Sequence, residues 1–166
     1  MSVSQAPFLH LALGNDLLGD DGVALAAGRA LKQELSSDFV DFIESSEAGL
    51  RLMELMSGYE KALLIDSVKT EQCEPGTILE FQPGDFRRVI APSPHYAGIP
   101  EVLDMAERLQ IPFPSELRIL AVEVVNPFEF QEKFSEPVES ALPQLIEKSR
   151  GILRQWQEQK SCTNIR

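Results

Sequence analysis

Several features that define common protein classes are missing from this sequence. It has 2 cysteines, Cys73 and Cys162, which lie far apart and form no CxxC pair. A disulfide framework or a cysteine-based zinc cluster is therefore excluded. Long apolar runs are missing too, because the first one is interrupted by His10 and ends at Gly14, and no positively charged segment precedes it. That run is too short for a signal-peptide core or a membrane span, so we expect a soluble, cytoplasmic protein.

Basic residues are scarce, with 15 Lys and Arg against 26 Asp and Glu, and the formal net charge is −11. Such a field repels phosphate backbones and anionic lipids, so we expect neither nucleic acid nor a membrane as partner. It would attract a basic or metal-bearing partner, although acidity of this size more often serves solubility. The 166 residues suit one domain, 1–166, with frayed tails at 1–7 and 156–166, and we expect a monomer.

The apolar pattern alternates between strand and helix periods along the chain. Residues 8–13 (FLHLAL) are typical of a strand buried on both faces, and residues 22–35 have helical spacing. The later segments continue the alternation, with strands at 39–44, 61–67, 77–82 and 117–125 and helices at 49–57, 99–109 and 137–155. Alternation of this kind predicts an α/β fold, with a mainly parallel twisted sheet of about five strands covered by helices on both faces.

Acidic residues fall where such a sheet binds ligands. If the strand order begins 2-1-3, the crevice lies beyond the carboxyl ends of the first and third strands. Asp20 and Asp21 follow the loop after the first strand, and Asp66 ends the apolar segment KALLID. The structural alternatives are a helix N-cap for Asp21 and a loop-organising role for Asp66.

The two histidines have different settings. His95 lies in APSPHYAGIPEVL, between prolines and a glycine ahead of a predicted helix, where a lone histidine is more often structural than a metal ligand. His10 lies in the first strand, and we expect it to be a core or cross-strand residue. Two carboxylates with one neutral imidazole suit Ni, Zn, Fe or Mn better than Mg or Ca, but this spacing does not name the metal.

Four motifs in order resemble one known family. The run 13–23 (LGNDLLGDDGV) resembles the GN-x-L-x-x-D-(D/E)-G-(V/I)-G signature of hydrogenase maturation endopeptidases. LIDS at 64–67, SPH followed by Gly98 at 93–98, and PV and ALP at 137–143 are similar to the family's later motifs. The resemblance spans nearly the whole chain. It implies a three-layer α/β/α sandwich, and an enzyme that removes a C-terminal extension from a nickel-iron hydrogenase large-subunit precursor after nickel insertion.

The resemblance also implies the site. It assigns the metal contacts to Asp21, Asp66 and His95, with nickel carried by the substrate and other divalent metals able to substitute in the isolated protein. Asp21 or Asp66 would then take a proton from the attacking water, so both are catalytic candidates. The family's first acid is often Glu, which makes Asp21 a shorter version. The family's Asp-Gly-Gly-Thr-x-Gly turn reads ESSEAG at 44–49 here, which puts any role of that turn in substrate binding in doubt.

Two alternatives stay open at this point. A receiver-like phospho-acceptor module also carries paired acids after its first strand and an Asp at the end of its third. Here, however, the acids follow a long loop, and VEVVNPF at 122–128 has no lysine to hold a phosphoryl group. The other alternative is a metal-binding accessory homologue that does not cleave, which the changed residues Ser45, Ser46 and Glu47 would fit.

Overall fold

The computed structural model describes residues 6–35, 38–83, 85 and 99–163. Within them, the strands are β1 Phe8–Leu13, β2 Val40–Ser45, β3 Lys61–Val68, β4 Ile78–Phe81 and β5 Glu116–Glu123. The α-helices are α1 Val23–Lys32, α2 Leu50–Met56, α3 Ile99–Arg108 and α4 Glu136–Thr163, and a 3-10 turn, Gly19–Gly22, leads into α1. Every predicted element with described residues is present, with boundaries shifted by a few residues except at the end of α4.

The strands form one sheet in the order β2-β1-β3-β5-β4. Pairing is parallel except between β4 and β5, which run antiparallel at the edge. The predicted mainly parallel sheet is confirmed, and the sheet has the 2-1-3 start on which the expected position of the crevice depended. The other end differs from the 2-1-3-4-5 order typical of receiver modules, so the receiver-like alternative does not match this sheet.

Helices cover both faces of the sheet. Successive side chains in a strand point to opposite faces, so β1 contributes Phe8 and Ala12 to one core cluster and Leu9, Leu11 and Leu13 to the other. The first cluster packs against α1 and α4, and the second packs against α2 and α3. A strand buried on both faces needs an almost unbroken apolar sequence, which FLHLAL supplies. The result is the predicted α/β/α sandwich.

The C-terminal helix is longer than predicted, and frayed ends at 156–163 were a wrong expectation. Trp156 is fully buried, its ring centroid lies 5.7 Å from that of Phe8, and its indole N–H donates to Glu116 over 3.1 Å. The buried Trp156 anchors this part of α4 to the core. The polar segment QEQKSCT after it therefore continues as helix, although its apolar residues are too few to show a helical period. No described helix, α4 included, is long and apolar enough to cross a membrane.

The N-terminal tail is also anchored where the structure describes it. Ala6 is buried, and its N–H donates to the carboxylate of Asp41 over 3.2 Å. The Tyr59 hydroxyl donates to the same carboxylate over 2.9 Å. The predicted frayed tail therefore does not include Ala6, while its remaining parts at 1–5 and 164–166 lie outside the described residues.

His10 is a core residue, as predicted. It is fully buried, its ring centroid lies 5.0 Å from that of Phe42, and a Cβ at Gly28 would come within 3.1 Å of its Cε1 atom. Neither ring nitrogen has a hydrogen-bond partner in the described structure. Burial lowers the pKa of His10 from 6.5 to about 4, so the imidazole is neutral at physiological pH.

Candidate functional site

Asp21 does not cap helix α1, contrary to the structural alternative considered for it. The N-cap of α1 is Gly22, and no side chain donates or accepts a capping hydrogen bond there. Asp21 lies one residue earlier in the 3-10 turn and is buried. Its Oδ1 atom accepts a hydrogen bond of 2.6 Å from the Ser67 hydroxyl, 46 residues along the chain. The turn thus directs Asp21 across to the end of β3.

Gly14 explains how Asp21 comes so close to the end of β1. Its φ is +150°, and a Cβ built there would lie 2.1 Å from the Asp21 carbonyl oxygen, well inside contact distance. The same position is 3.7 Å from Asp21 Oδ2. Only glycine allows this approach, so the glycine of the GND turn serves to place Asp21 at the strand end.

Asp66 lies inside β3 and not at its end, because the strand continues to Val68. It is fully buried, and its Oδ1 atom accepts a hydrogen bond of 2.8 Å from the Ser67 N–H. Ser67 therefore contacts both acids, Asp21 through its hydroxyl and Asp66 through its main chain. The structure brings these two predicted site residues together at the β1 and β3 crevice.

Asp20 is buried beside Asp21 but points elsewhere. Its Oδ1 accepts the Ser135 N–H over 2.7 Å, and its Oδ2 accepts the Ser135 hydroxyl over 2.8 Å. Both carboxylate oxygens are thus used to hold the residue just before α4. Asp20 is a structural clamp between the first loop and the last helix.

Glu123, at the end of β5, is a second clamp, which the sequence reasoning missed. This buried carboxylate accepts the N–H groups of Thr70 and Glu71 over 2.8 Å each and the Thr70 hydroxyl over 2.7 Å. It thereby holds the loop that follows β3, in which Glu71 has φ +59°. The sequence did contain a signal for Glu123, because it is a lone acid in the apolar run LAVEVV, just as Asp66 is a lone acid in an apolar strand.

The changed turn at 44–49 is tied to the first loop by Arg29. The Arg29 guanidinium donates to Glu44 over 2.8 and 2.6 Å and to Asp16 over 2.7 Å. These hydrogen bonds, first from Glu44 and then from Asp16, raise the pKa of Arg29. Gly49, the one glycine kept from the family pattern, has φ +58°, which favours glycine.

His95, the third predicted metal contact, lies outside the described residues, as does the rest of the SPH motif. Among residues 6–35, 38–83, 85 and 99–163, no group of three or more His, Cys, Asp or Glu side chains is placed to hold a metal ion. Asp21 and Asp66 supply carboxylate oxygens, which suit an intermediate divalent ion when an imidazole completes the set. Within the described part of the chain, Asp21 Oδ2 receives no hydrogen bond.

The fold and this site define a class: an α/β domain with two buried carboxylates, joined through one serine, at the crevice between its first and third strands. The model of the HycI family, described as hydrogenase maturation protease, matches residues 25–151. The chain belongs to the hydrogenase maturation protease family and is an endopeptidase. The receiver-like alternative is therefore wrong.

Individual relatives agree with the family. Protein FrxA of Pyrococcus furiosus is 30% identical over an alignment of 151 residues, and the match covers 83% of this chain and 98% of that protein. The hydrogenase maturating endopeptidase HybD of E. coli is 27% identical with a TM-score of 0.73, over 89% of this chain and 92% of that one. The [NiFe] hydrogenase maturation protease HybD of Thermococcus kodakarensis, at 24% identity and a TM-score of 0.66, covers 88% and 98% and shares the fold.

Proposed function

We propose that this endopeptidase removes the C-terminal extension of a nickel-iron hydrogenase large-subunit precursor after nickel insertion, and that it recognises the nickel bound in the precursor. The observation that carries the proposal is the link from Asp21 through Ser67 to Asp66. Two buried carboxylates from separate elements are held at one crevice by hydrogen bonds of 2.6 and 2.8 Å from the same residue. This arrangement puts two candidate catalytic acids of a maturation protease at the crevice where such a sheet binds its ligands.

In the proposed mechanism the nickel enters with the substrate. Asp21, Asp66 and His95 contact it, and the metal polarises the scissile carbonyl and fixes its position. Water attacks that carbonyl, and Asp21 or Asp66 accepts the proton and passes it to the departing amide nitrogen. The Ser67 hydroxyl holds the Asp21 carboxylate in one orientation, which is the protein's main preparation for this step.

Recognition of a bound metal gives specificity without a deep side-chain pocket. A precursor without nickel would lack the ligand that Asp21, Asp66 and His95 share, so cleavage would wait for metal insertion. The net charge of −11 favours approach of a metal-bearing or basic surface. We propose that the enzyme acts as a monomer in the cytoplasm and that another divalent metal can occupy the site in the isolated protein.

The test is trimming of two precursors, one loaded with nickel and one free of it, followed by mass spectrometry of the C-terminus. The proposal predicts loss of the extension from the loaded precursor only. Trimming of neither, or equal trimming of both, would contradict it. Tight binding of the loaded precursor without trimming would favour the alternative of a metal-binding accessory homologue that does not cleave. The changed residues of the turn at 44–49 would fit that alternative.

A further inference from the structure

We propose that an exposed apolar surface beside the two acids docks the polypeptide of the precursor independently of its nickel. The surface, here called the apolar rim, consists of Leu17, Val125, Phe128 and Phe130, which are 66%, 55%, 67% and 80% exposed. Phenylalanines are seldom left this open without a partner, and clustered apolar exposure on a soluble domain often marks a binding surface. This inference rests on the proposed function, because it names the surface that holds the same substrate.

The rim lies between the elements that carry the two acids. At its start, the Val124 N–H donates to the carbonyl of Val68, which ends the strand containing Asp66, over 2.8 Å. At its other end, the Gly19 N–H donates to the Gln131 carbonyl over 3.1 Å, within the turn that contains Asp21. A polypeptide that covers residues 125–130 is thus held next to the acids that would cut it.

A small cavity opens in the same surface. Its volume is about 200 Å³, and it is lined by Asp20, Val125, Asn126, Glu129, Gln131 and Ser135. That is smaller than the roughly 300 Å³ at which pockets for separate small molecules begin, and it suits one side chain of a docked polypeptide. Because the Asp20 carboxylate is already bound to Ser135, Glu129 supplies the accessible negative charge. The cavity fits a side chain with hydrogen-bond donors, a basic one above all.

The rim is held in shape before anything binds. Asn126 Oδ1 accepts the Phe128 N–H over 3.1 Å, and Leu18 forms a parallel β-bridge with Gln131. Ser135, clamped by Asp20, ends the segment. A surface fixed by its own hydrogen bonds loses little conformational entropy on binding, which favours a defined partner over non-specific adhesion.

The occupant is the precursor and not a second copy of this chain. A protease must hold its polypeptide across the groups that cut it, and the rim is continuous with both acid-bearing elements. The rim also carries negative charge, because Glu129 lies between Phe128 and Phe130 in sequence and Glu132 follows shortly after. A second strongly acidic chain would be repelled there, whereas a segment with apolar and basic side chains would be attracted.

The test is the dissociation constant of the full-length protein for nickel-free and nickel-loaded precursor, measured by calorimetry. Phe128→Ala and Phe130→Ala should each weaken binding by about tenfold in both forms, the scale expected for truncating a buried interface aromatic. Asp21→Asn should weaken binding of the loaded form only. Leu109→Ala is the matched control: Leu109 is 62% exposed, but it lies after α3 in the segment that runs to the amino end of β5, whereas the rim follows the carboxyl end of that strand, so binding should not change.

Unchanged affinity of the Phe128→Ala and Phe130→Ala double variant, or no binding of nickel-free precursor to the wild type, would overturn the rim. Sedimentation provides a further check, because a wild-type dimer that the double variant abolishes would assign the rim to a second copy and overturn the proposal. Failure of the wild type to trim any precursor would contradict the proposed function instead. The binding data would still decide whether the rim docks the precursor.

Discussion

Two pairs of buried acids lie at the same edge of this sheet and differ in what donates to them. Asp20 and Glu123 each accept hydrogen bonds on both carboxylate oxygens from a loop or from the residue before a helix. Asp21 accepts a hydrogen bond from the Ser67 hydroxyl, and Asp66 accepts one from the Ser67 N–H. Burial alone therefore does not mark a site residue, since all four are buried. The direction of the donors separates a structural clamp from a candidate catalytic acid.

The contrast is sharpest between neighbours. Asp20 and Asp21 are consecutive and are each 8% exposed. In a 3-10 turn, with three residues per turn, consecutive side chains diverge by about 120°. One therefore reaches Ser135 at the start of α4, while the other reaches Ser67 in β3. A short tight turn gives adjacent identical residues different functions.

The largest expected effect is on catalysis by the crevice pair. Asp21→Asn and Asp66→Asn should each lower the rate of precursor trimming by about 10²–10⁴-fold, the usual contribution of a positioned acid or base. The matched variant Asp20→Asn should instead lower the free energy of unfolding by about 1–3 kcal/mol, because a buried charged hydrogen-bond acceptor is lost. Its kcat at saturating precursor should be nearly unchanged, and any loss of activity should appear in KM, because Asp20 clamps Ser135 at the end of the rim. Mass-spectrometric rates and thermal unfolding measure the two effects. Equal losses of activity in Asp20→Asn and Asp21→Asn would break the comparison.

Gly14→Ala should damage both stability and activity, because the new Cβ would overlap the Asp21 carbonyl, 2.1 Å away. We expect a loss of about 3 kcal/mol or more in the free energy of unfolding. Gly151→Ala is the control, because nothing lies within 4 Å of its Cβ position in helix α4. It should stabilise the protein by about 0.5–1 kcal/mol. Denaturant titration compares them, and an active, stable Gly14→Ala variant would refute the close packing of Asp21.

The buried His10 ring has no hydrogen-bond partner among the described residues, and it predicts acid sensitivity away from the site. Its pKa falls from 6.5 unfolded to about 4 folded, so the unfolded state binds more protons between these values. The free energy of unfolding should be constant above pH 6.5 and fall by roughly 3 kcal/mol as pH drops to 4, at 1.36 kcal/mol per unit. His10→Leu should remove this part of the pH dependence. The same acid slope in wild type and His10→Leu would contradict the assignment.

Ser67→Ala should have the smallest effect of the four. It removes the hydroxyl that orients Asp21 but keeps the N–H bonded to Asp66, and we expect kcat to fall by about tenfold, equivalent to about 1.4 kcal/mol. Ser67→Thr keeps the hydroxyl and should restore most of the rate. If Ser67→Ala and Ser67→Thr lose activity equally, the hydroxyl is not what positions Asp21.

Most of the fold was predictable, because it depends on local patterns. The FLHLAL run predicted β1 residue for residue, and alternation of strands and helices predicted a mainly parallel sheet, while the 2-1-3 start was assumed and not predicted. Strand β4 was predicted, but its antiparallel pairing at the edge of the sheet and the last turns of α4 were not. Both depend on distant partners, β5 for the strand and Phe8 for Trp156, which no window of sequence contains.

The site divides in the same way. Asp21 and Asp66 were predicted from motif and strand-end position, and helix capping was the local alternative for Asp21. Ser67 and Ser135 were missed, because their hydrogen bonds span 46 and 115 residues and a serine beside an acid is common in any sequence. The role of His95 stays a prediction, since it lies outside the described residues.

Nickel X-ray absorption of the precursor, alone and rapidly frozen with this protein before cleavage, tests the central claim most directly. We expect additional oxygen or nitrogen scattering at nickel in the complex, which Asp21→Asn reduces and which Asp20→Asn retains when the protein saturates the precursor. A nickel spectrum that is the same with and without the protein would contradict recognition of the metal by these carboxylates.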